Sequence, residues 1–516
     1  AKNDEALLKR LQNPKTPLIG YDIKRCVHLS KRFALPVSFT DDVMIMANLV
    51  HSSLTSAEKI SEAYGLSTTE TYEEIYGTPN RPKLPEEEKI LRFACEKANH
   101  IFTLYEQFQS ELTGDLLKVY QEMELPLSPV LFEMEEEGIR CEALILKTIA
   151  DEMKGSIDAV QETVFQEAGH EFNLNSPKQL AEVLFDELHL PTGKKRSTGA
   201  DVLEKLKDSH PIIESLLTYR KLQKIYSTYA EGLQKYIRDD GRIHTLFNQC
   251  ATQTGRLSSS EPNLQNISVR DEQGRIIRKA FLPEEGHVLM SSDYHQIELR
   301  ILASMADEES MIDAFNHDID IHTKTAMDVF GVEEADVTSE MRRRAKTVNF
   351  GIVYGISDFG LAEQLGISRR EAADFIATYY QKYPKIRTFM DSIVTFCEKN
   401  GYVLTLCGRK REIPEIREKN RMVREFGKRA AMNAPIQGTA ADLIKIAMIR
   451  IDEMMKKAGV KSRILLQVHD ELIFDVPKEE IETMRRLVTE GMVTAMMLKV
   501  PLTVECSIGN DWYEAK

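Results

Sequence analysis

Two apolar segments that lie far apart in this chain each run into a carboxylate, and no other feature limits its possible folds as much. His287-Val288-Leu289-Met290-Ser291-Ser292 reads as a buried strand that closes on Asp293. Ile464-Leu465-Leu466 and Leu472-Ile473-Phe474 read as two further β-segments that meet around His469-Asp470-Glu471. A charged group at the end of a buried strand is costly unless it is paired or binds a metal. Mg²⁺ commonly takes one or two protein carboxylates and leaves its other positions to water and substrate phosphates. Two strand-end aspartates in one small sheet can therefore hold two ions roughly 3.5–4 Å apart for an in-line phosphoryl displacement. Successive strand residues face opposite sides, so Glu471 joins Asp470 only where a turn lies between them. The plainer alternative is a set of unrelated surface carboxylates.

A second constellation lies on one predicted helix. Arg342, Lys346, Phe350 and Tyr354 follow one another at i,i+4 and share a face. The two cations suit a polyphosphate, and the two aromatic rings suit a base or sugar. An amphipathic helix with its aromatics in the core is the competing reading, and it leaves the basic end unexplained. Thr254-Gly255-Arg256-Leu257-Ser258-Ser259, followed by Pro262-Asn263-Leu264-Gln265-Asn266, is rich in hydrogen-bonding side chains and low in bulk. Such a loop suits sugar-phosphate and minor-groove acceptors, or is simply a polar surface turn. Asn433-Ala434-Pro435-Ile436-Gln437-Gly438 reads as a segment of the same kind, four residues after Arg429.

The rest of the chain is consistent with an α+β protein. Asn175-Ser176-Pro177-Lys178-Gln179 carries a helix start with a capping box, as does Ser368-Arg369-Arg370-Glu371. Pro126 and Pro129 punctuate a long amphipathic stretch from about residue 116 to 165. The basic tip Thr192 to Gly199 suits a phosphate backbone, or is a solvated loop. Leu361 to Ser368 imitates a helix-turn-helix, although a glycine turn between capped helices is common in helical domains. With 516 residues, 42% hydrophobic and 29% charged, the chain is long enough for several cores and is not a disordered polymer. The net charge of −14 does not exclude nucleic acid, because a basic cleft can sit inside an acidic exterior. Seven scattered cysteines without a CxxC read as reduced thiols of a cytoplasmic protein. No run approaches a membrane span, and Ala1 to Glu5 does not read as a signal peptide.

Taken together and in this order, the segments resemble the family A DNA polymerases. Asp293-Tyr294-His295-Gln296-Ile297-Glu298-Leu299-Arg300 is similar to the family's first polymerase motif. Arg342-x₃-Lys346-x₇-Tyr354-Gly355 is similar to the second, and Gln467-Val468-His469-Asp470-Glu471 to the third. The resemblance implies a right-hand fold of palm, fingers and thumb. The palm would take 116–151, 249–303 and 429–516, the thumb 152–248 and the fingers 304–428. It implies two Mg²⁺ ions, with Mn²⁺ as a substitute, on Asp293, Asp470 and the Tyr294 carbonyl, with Glu471 nearby. Lys346 would meet the phosphates of the dNTP and donate a proton to the leaving group, while Arg342 and His322 bind phosphate. Phe350 would lie by the sugar, Tyr354 by the templating pair, and Gln296 at the nucleotide. Glu298 would exclude a ribose 2′-OH. Arg256, Asn263, Gln265, Arg429, Asn433, Gln437 and His469 would contact primer-template DNA. The expected protein is a bacterial, nucleoid-associated monomer that serves DNA replication and repair.

The sequence departs from that family pattern at several places. His295 stands where the family usually has Ser, and it is expected to alter nucleotide selectivity or pH dependence without abolishing catalysis. The thumb tip between Leu190 and Val202 is shorter than usual. Residues 1–115 resemble the back half of the family's 3′–5′ exonuclease domain. There Tyr21-Asp22 matches part of the second motif, Leu18 replaces its Asn, and Phe93-x₃-Lys97 replaces the third motif's Tyr-x₃-Asp. A lysine in place of a metal carboxylate reverses the local charge, so no proofreading is expected. The family's 5′-nuclease domain is not expected in this chain. Two other readings stand beside template-directed DNA synthesis. One is a single-subunit RNA polymerase or another two-metal nucleotidyl enzyme, against which Glu298 argues. The other is an inactive DNA-binding scaffold, against which Asp293, Asp470, Lys346 and Arg342 argue.

Overall fold

A computed structural model describes residues 9–516 apart from 12, 14, 36, 55, 79, 193–195 and 270. The first five residues and the centre of the basic tip at 193–195 thus lie outside the described residues. At the heart of the molecule is a four-stranded antiparallel sheet in the order Arg463–Val468, Glu471–Pro477, His287–Tyr294 and Val504–Gly509. The first three of these strands are buried along nearly all their length, which explains their continuous apolar character, whereas Val504–Gly509 at the edge is largely part-exposed. The helix Leu125–Glu137 packs on the edge strand Arg463–Val468, and Ile481–Val493 packs on the two central strands.

Two helical arms extend from this base. One contains Ala143–Ala168 packed on Pro211–Ile225; the other runs from Ile297–Ala306 through Ser339–Val353 to Pro384–Asn400. The 38-residue helix Arg421–Ala458 joins the second arm to the sheet. Asn433 to Gly438 lies inside that helix and is not a loop. Pro435 is tolerated at its centre, and Ala434, Pro435, Ile436 and Gly438 are buried. Gly438 is needed there, because a Cβ would stand 2.6 Å from the Thr405 methyl.

Two other expectations change in detail. Pro126 and Pro129 do not break their helix. Pro126 occupies its first turn, where no N–H is required, and a wider π-helical turn at Val119–Glu124 precedes it. Ser176 caps Pro177–Ala181 as expected, but the Gln179 side chain accepts from the Asn173 N–H at 2.8 Å, so the capping box is half formed. The Ser368–Glu371 box is complete.

The N-terminal region has its own core of Val43, Ile45, Leu49, Leu104 and Phe108, which also takes in Val119, Tyr120 and Met123. Beneath that junction lies a buried charge network. The Glu124 carboxylate accepts from Lys445 Nζ and Gln249 Nε2, both at 2.6 Å, and from the Arg409 guanidinium. Arg409 Nε also donates to Asp442 at 2.6 Å. Burial would raise the Glu124 pKa, but Arg409 and Lys445 outweigh it and bring it down to about 2. Its stabilising contribution is therefore present above the ordinary Glu range and is lost as pH falls from about 4.5 toward 2. Glu124→Gln strands Lys445 and half of Arg409 in the interior. Urea unfolding at pH 7 should show a loss of roughly 3–5 kcal/mol, and the wild-type advantage should shrink below pH 4.

Candidate nucleotidyl-transfer site

The register of the two central strands sets Asp293 directly opposite Glu471. Asp470 sits in the two-residue turn before Glu471, with His469 in the left-handed conformation at φ 56°. The Asp470 carbonyl accepts from the Tyr294 N–H at 3.3 Å, which ties the turn to the end of the neighbouring strand. The turn that the sequence required is thus present, and Asp293 and Asp470 emerge together at one end of the sheet. Glu471 is turned inward instead. It is 1% exposed, accepting from Ser291 Oγ at 2.6 Å and from Lys516 Nζ at 2.7 Å.

Burial pushes the Asp293 carboxyl up to about 6; Lys516 counters this, while Glu471 and Asp470 reinforce it. Asp470 is raised by burial as well, with Arg256 and His469 opposing. Two carboxylates that resist ionisation side by side are a donor set suited to hard cations. A cation already stands there, since the Lys516 ammonium lies 3.7 Å from Asp293 Oδ2. These residues fit a divalent metal.

The adjacent helix Ile297–Ala306 starts at Gln296, also left-handed at φ 53°, which directs Glu298 back over the carboxylates. Glu298 is buried and accepts from Arg256 at 2.8 Å and from the Tyr354 hydroxyl at 3.0 Å. Arg256 in turn lies 4.0 Å from Asp470. Asp470, Arg256, Glu298 and Tyr354 therefore form one polar chain from the sheet to the second arm.

On the helix Ser339–Val353, Arg342 and Lys346 are exposed and Phe350 is half-buried, with Tyr354 at its end. Lys346 has no hydrogen-bond or ion-pair partner among the described residues. Arg342 Nε donates to Asp320 at 2.6 Å. His322 is 3% exposed, its ring 5.8 Å from that of Phe350. Its Nδ1 faces the Asn349 amide nitrogen at 3.1 Å, and Asn349 also bonds Thr325. The Thr325 hydroxyl donates to the Ile321 carbonyl, so it accepts from Asn349. With the amide NH₂ placed toward His322, Nδ1 accepts and Nε2 carries the proton. Asp320, Asn349 and Lys516 escaped the sequence reading. Asn349 left a trace, as a polar residue between Val348 and Phe350 on a packed helix; a lone lysine far from the carboxylates left none.

The expected DNA-contacting residues are distributed more widely. Asn263 is exposed, but Gln265 is buried and its amide donates to the Gln467 side chain at 2.9 Å. Gln265 thus braces the strand before His469 and does not present its amide outward. Asn433 donates to the Val353 carbonyl at 3.2 Å. Arg429 packs beneath Gly355, whose φ of 64° and close neighbours exclude a side chain. Gln437 is half-buried on the same long helix, and His469 is exposed. His295 is exposed beside Asp293; its N–H donates to the Thr503 carbonyl, and its own carbonyl accepts from Arg300.

Comparison with known proteins identifies the family and the fold. The family model for DNA polymerase family A matches residues 144–514, and that for the DNA polymerase I ribonuclease H-like domain matches residues 1–104. The chain is 44% identical to DNA polymerase I of Bacillus subtilis, over 100% of this chain and 60% of that protein. It is 49% identical to the Bacillus caldotenax enzyme, over 86% of this chain and 52% of that protein. The chain thus spans about half to three fifths of these curated relatives. A solved structure titled as the POL domain of Pol1 from M. smegmatis in complex with DNA primer-template and dNTP superimposes with a TM-score of 0.89 at 39% identity. It covers 100% of this chain and 90% of that one. The fold is the right-hand polymerase fold, preceded by an exonuclease-like domain.

Burial drives the His322 pKa down to about 4, with Arg342 and Lys346 adding to the effect and Asp320 opposing it. The unfolded chain takes up that proton near pH 6.5, while the folded protein resists it until about pH 4. The histidine's contribution to stability is therefore full above pH 6.5 and declines as pH falls toward 4. Measured by urea unfolding, wild type should lose on the order of 2 kcal/mol relative to His322→Gln across that window.

Proposed function

Because the chain belongs to the family A DNA polymerases, we propose that it is a DNA-templated DNA polymerase that adds dNMP to a primer 3′-OH and releases pyrophosphate. The observation that carries this reading is the polar chain Asp470–Arg256–Glu298–Tyr354, which links the carboxylate pair to the Arg342–Lys346 helix. Asp293, Asp470 and the Tyr294 carbonyl would hold two divalent ions, Mg²⁺ or Mn²⁺. When bound, these ions lower the pKa of the attacking hydroxyl and stabilise the leaving oxygen.

The protein's own groups supply the rest. Lys346, exposed and without a partner among the described residues, neutralises the triphosphate and delivers a proton to the departing pyrophosphate. Arg342 must leave Asp320 to reach the phosphates, so it trades one charge-assisted hydrogen bond for another. His322 offers a neutral Nε2–H donor to a phosphate oxygen. Phe350 supports the sugar and Tyr354 the templating pair, while Gln296 borders the nucleotide. Glu298, fixed on both carboxylate oxygens, occupies the space a 2′-OH would need. Arg256, Arg429, Asn433, Gln437, Asn263 and His469 would follow the primer-template, and Lys221, Lys224 and Lys235 line a groove of about 900 Å³ together with Asn263. His295, next to Asp293, would tune nucleotide choice or pH response, and His295→Ser tests that role. The domain limits of the sequence reading stand as part of this proposal, as do a monomeric state and a role in replication and repair on the nucleoid.

The exonuclease-like domain would not proofread. Asp22 serves as a helix N-cap accepting from the Arg25 N–H, and the Lys97 ammonium lies 5.4 Å from the Phe93 ring centroid. Mg²⁺-dependent removal of a mismatched 3′ end, lost in Asp22→Ala, would overturn this.

The central test is extension of a labelled primer on a DNA template with Mg²⁺ and either dNTPs or rNTPs. Extension is expected with dNTPs only, and Asp293→Asn should slow it by roughly a hundredfold or more. Glu298→Ala should admit rNTPs. Tight primer-template binding with no extension would instead identify a scaffold.

A further inference from the structure

Lys516 reaches the carboxylate site from a turn that is anchored at every residue around it. Trp512 is fully buried, edge-on to Phe281 at 5.4 Å, with the Arg278 guanidinium 4.0 Å from its ring. The Trp512 main-chain N–H donates to the Phe281 carbonyl at 3.0 Å. Ala515 is buried in the hollow left by Gly509, where a Cβ would come within 2.4 Å of its nitrogen. Arg275 donates to the main-chain oxygens of Tyr513 at 3.3 Å and Lys516 at 3.0 Å. Glu272 accepts from the Tyr513 hydroxyl at 2.7 Å.

So fixed, the Lys516 side chain spans two carboxylates unequally. It is bonded to Glu471 at 2.7 Å and only close to Asp293 at 3.7 Å. With Ser291 on its other oxygen, Glu471 has both oxygens occupied, whereas Asp293 has no shorter partner among the described residues. Resting on the metal-binding reading above, we propose that Lys516 is a built-in counter-ion of the catalytic carboxylates. It holds Glu471 inward, screens Asp293 while no divalent ion is bound, and yields Asp293 when one arrives. The lysine is a positioning residue, and its charge sets how tightly the site takes its metal. A cation this close to the ligands competes with a divalent ion for the same field. Removing it should therefore loosen the metal-free protein yet tighten metal binding, and the tightening is the opposite of what loss of a merely structural contact would do.

The test uses the full chain and Mn²⁺ alone, without DNA or nucleotide, with free Mn²⁺ followed by electron paramagnetic resonance. Lys516→Met is expected to bind Mn²⁺ on the order of tenfold more tightly than wild type, and Lys516→Arg to stay near wild type. In EDTA, Lys516→Met should melt at a lower temperature than wild type, and saturating Mn²⁺ should close that gap. Unchanged or weaker Mn²⁺ binding in Lys516→Met, with binding lost in Asp293→Asn, overturns the counter-ion and leaves the metal reading standing. Mn²⁺ binding that Asp293→Asn does not weaken overturns the metal reading itself, and this proposal with it.

Discussion

The pairing of His287–Tyr294 with Glu471–Pro477 governs everything built around it. Seven successive residues are in register, from His287 opposite Pro477 to Asp293 opposite Glu471. A slip of one residue would turn each side chain to the other face of the sheet. It would bring Asp293 down among the buried residues and lift Ser292 into the cleft. The apolar residues on both faces forbid that slip, so hydrophobic packing, not the carboxylates, decides where the carboxylates stand. The turn at His469-Asp470 then needs only one left-handed residue to bring the second aspartate beside the first.

The same economy recurs at the edge of the site. Asp293, Asp470 and Glu298 form a cluster that would repel itself if all three were free and ionised. Each is instead given a counter-group: Lys516 for Asp293, Arg256 for Asp470, and both Arg256 and Tyr354 for Glu298. Arg256 is shared, so the position of the second arm, which carries Tyr354, bears electrostatically on the sheet. Movement of that arm away from the sheet would break the Tyr354 bond and release one oxygen of Glu298. A coupling between arm position and the setting of Glu298 thus follows from three side chains, without a separate relay.

Much of this was legible in the sequence because it rests on local rules. An apolar run ending in Asp, an i,i+4 stripe of cations and aromatics, and a complete capping box at Ser368 each state their structure directly. What failed to read was tertiary in origin. Asn433 to Gly438 carries the composition of a loop, yet Gly438 and Pro435 are tolerated because the long helix is held by packing along its length and the glycine admits Thr405. Gln265 reads as a surface hydrogen-bonding residue, and only its nearness to Gln467 turns it inward. Lys516 and Asp320 are ordinary charged residues until the fold brings them to a carboxylate or to an arginine.

The buried polar groups divide into two kinds by what surrounds them. Glu124, Arg409, Asp442 and Lys445 bond one another, with Gln249 and Thr405 filling further positions, and so fix the junction between the N-terminal core and the sheet. Beside the cleft the satisfaction is deliberately partial. Among the described residues Lys346 has no partner, Arg342 has one exchangeable acceptor, and Asp293 has a lysine at the edge of contact distance. A closed network gains nothing from a ligand, since any new bond must break an old one. An open set of charges held on rigid strands and helices is what a polyanionic substrate and its cations can complete, and Arg342, Lys346 and Asp293 form such a set between the second arm and the end of the sheet.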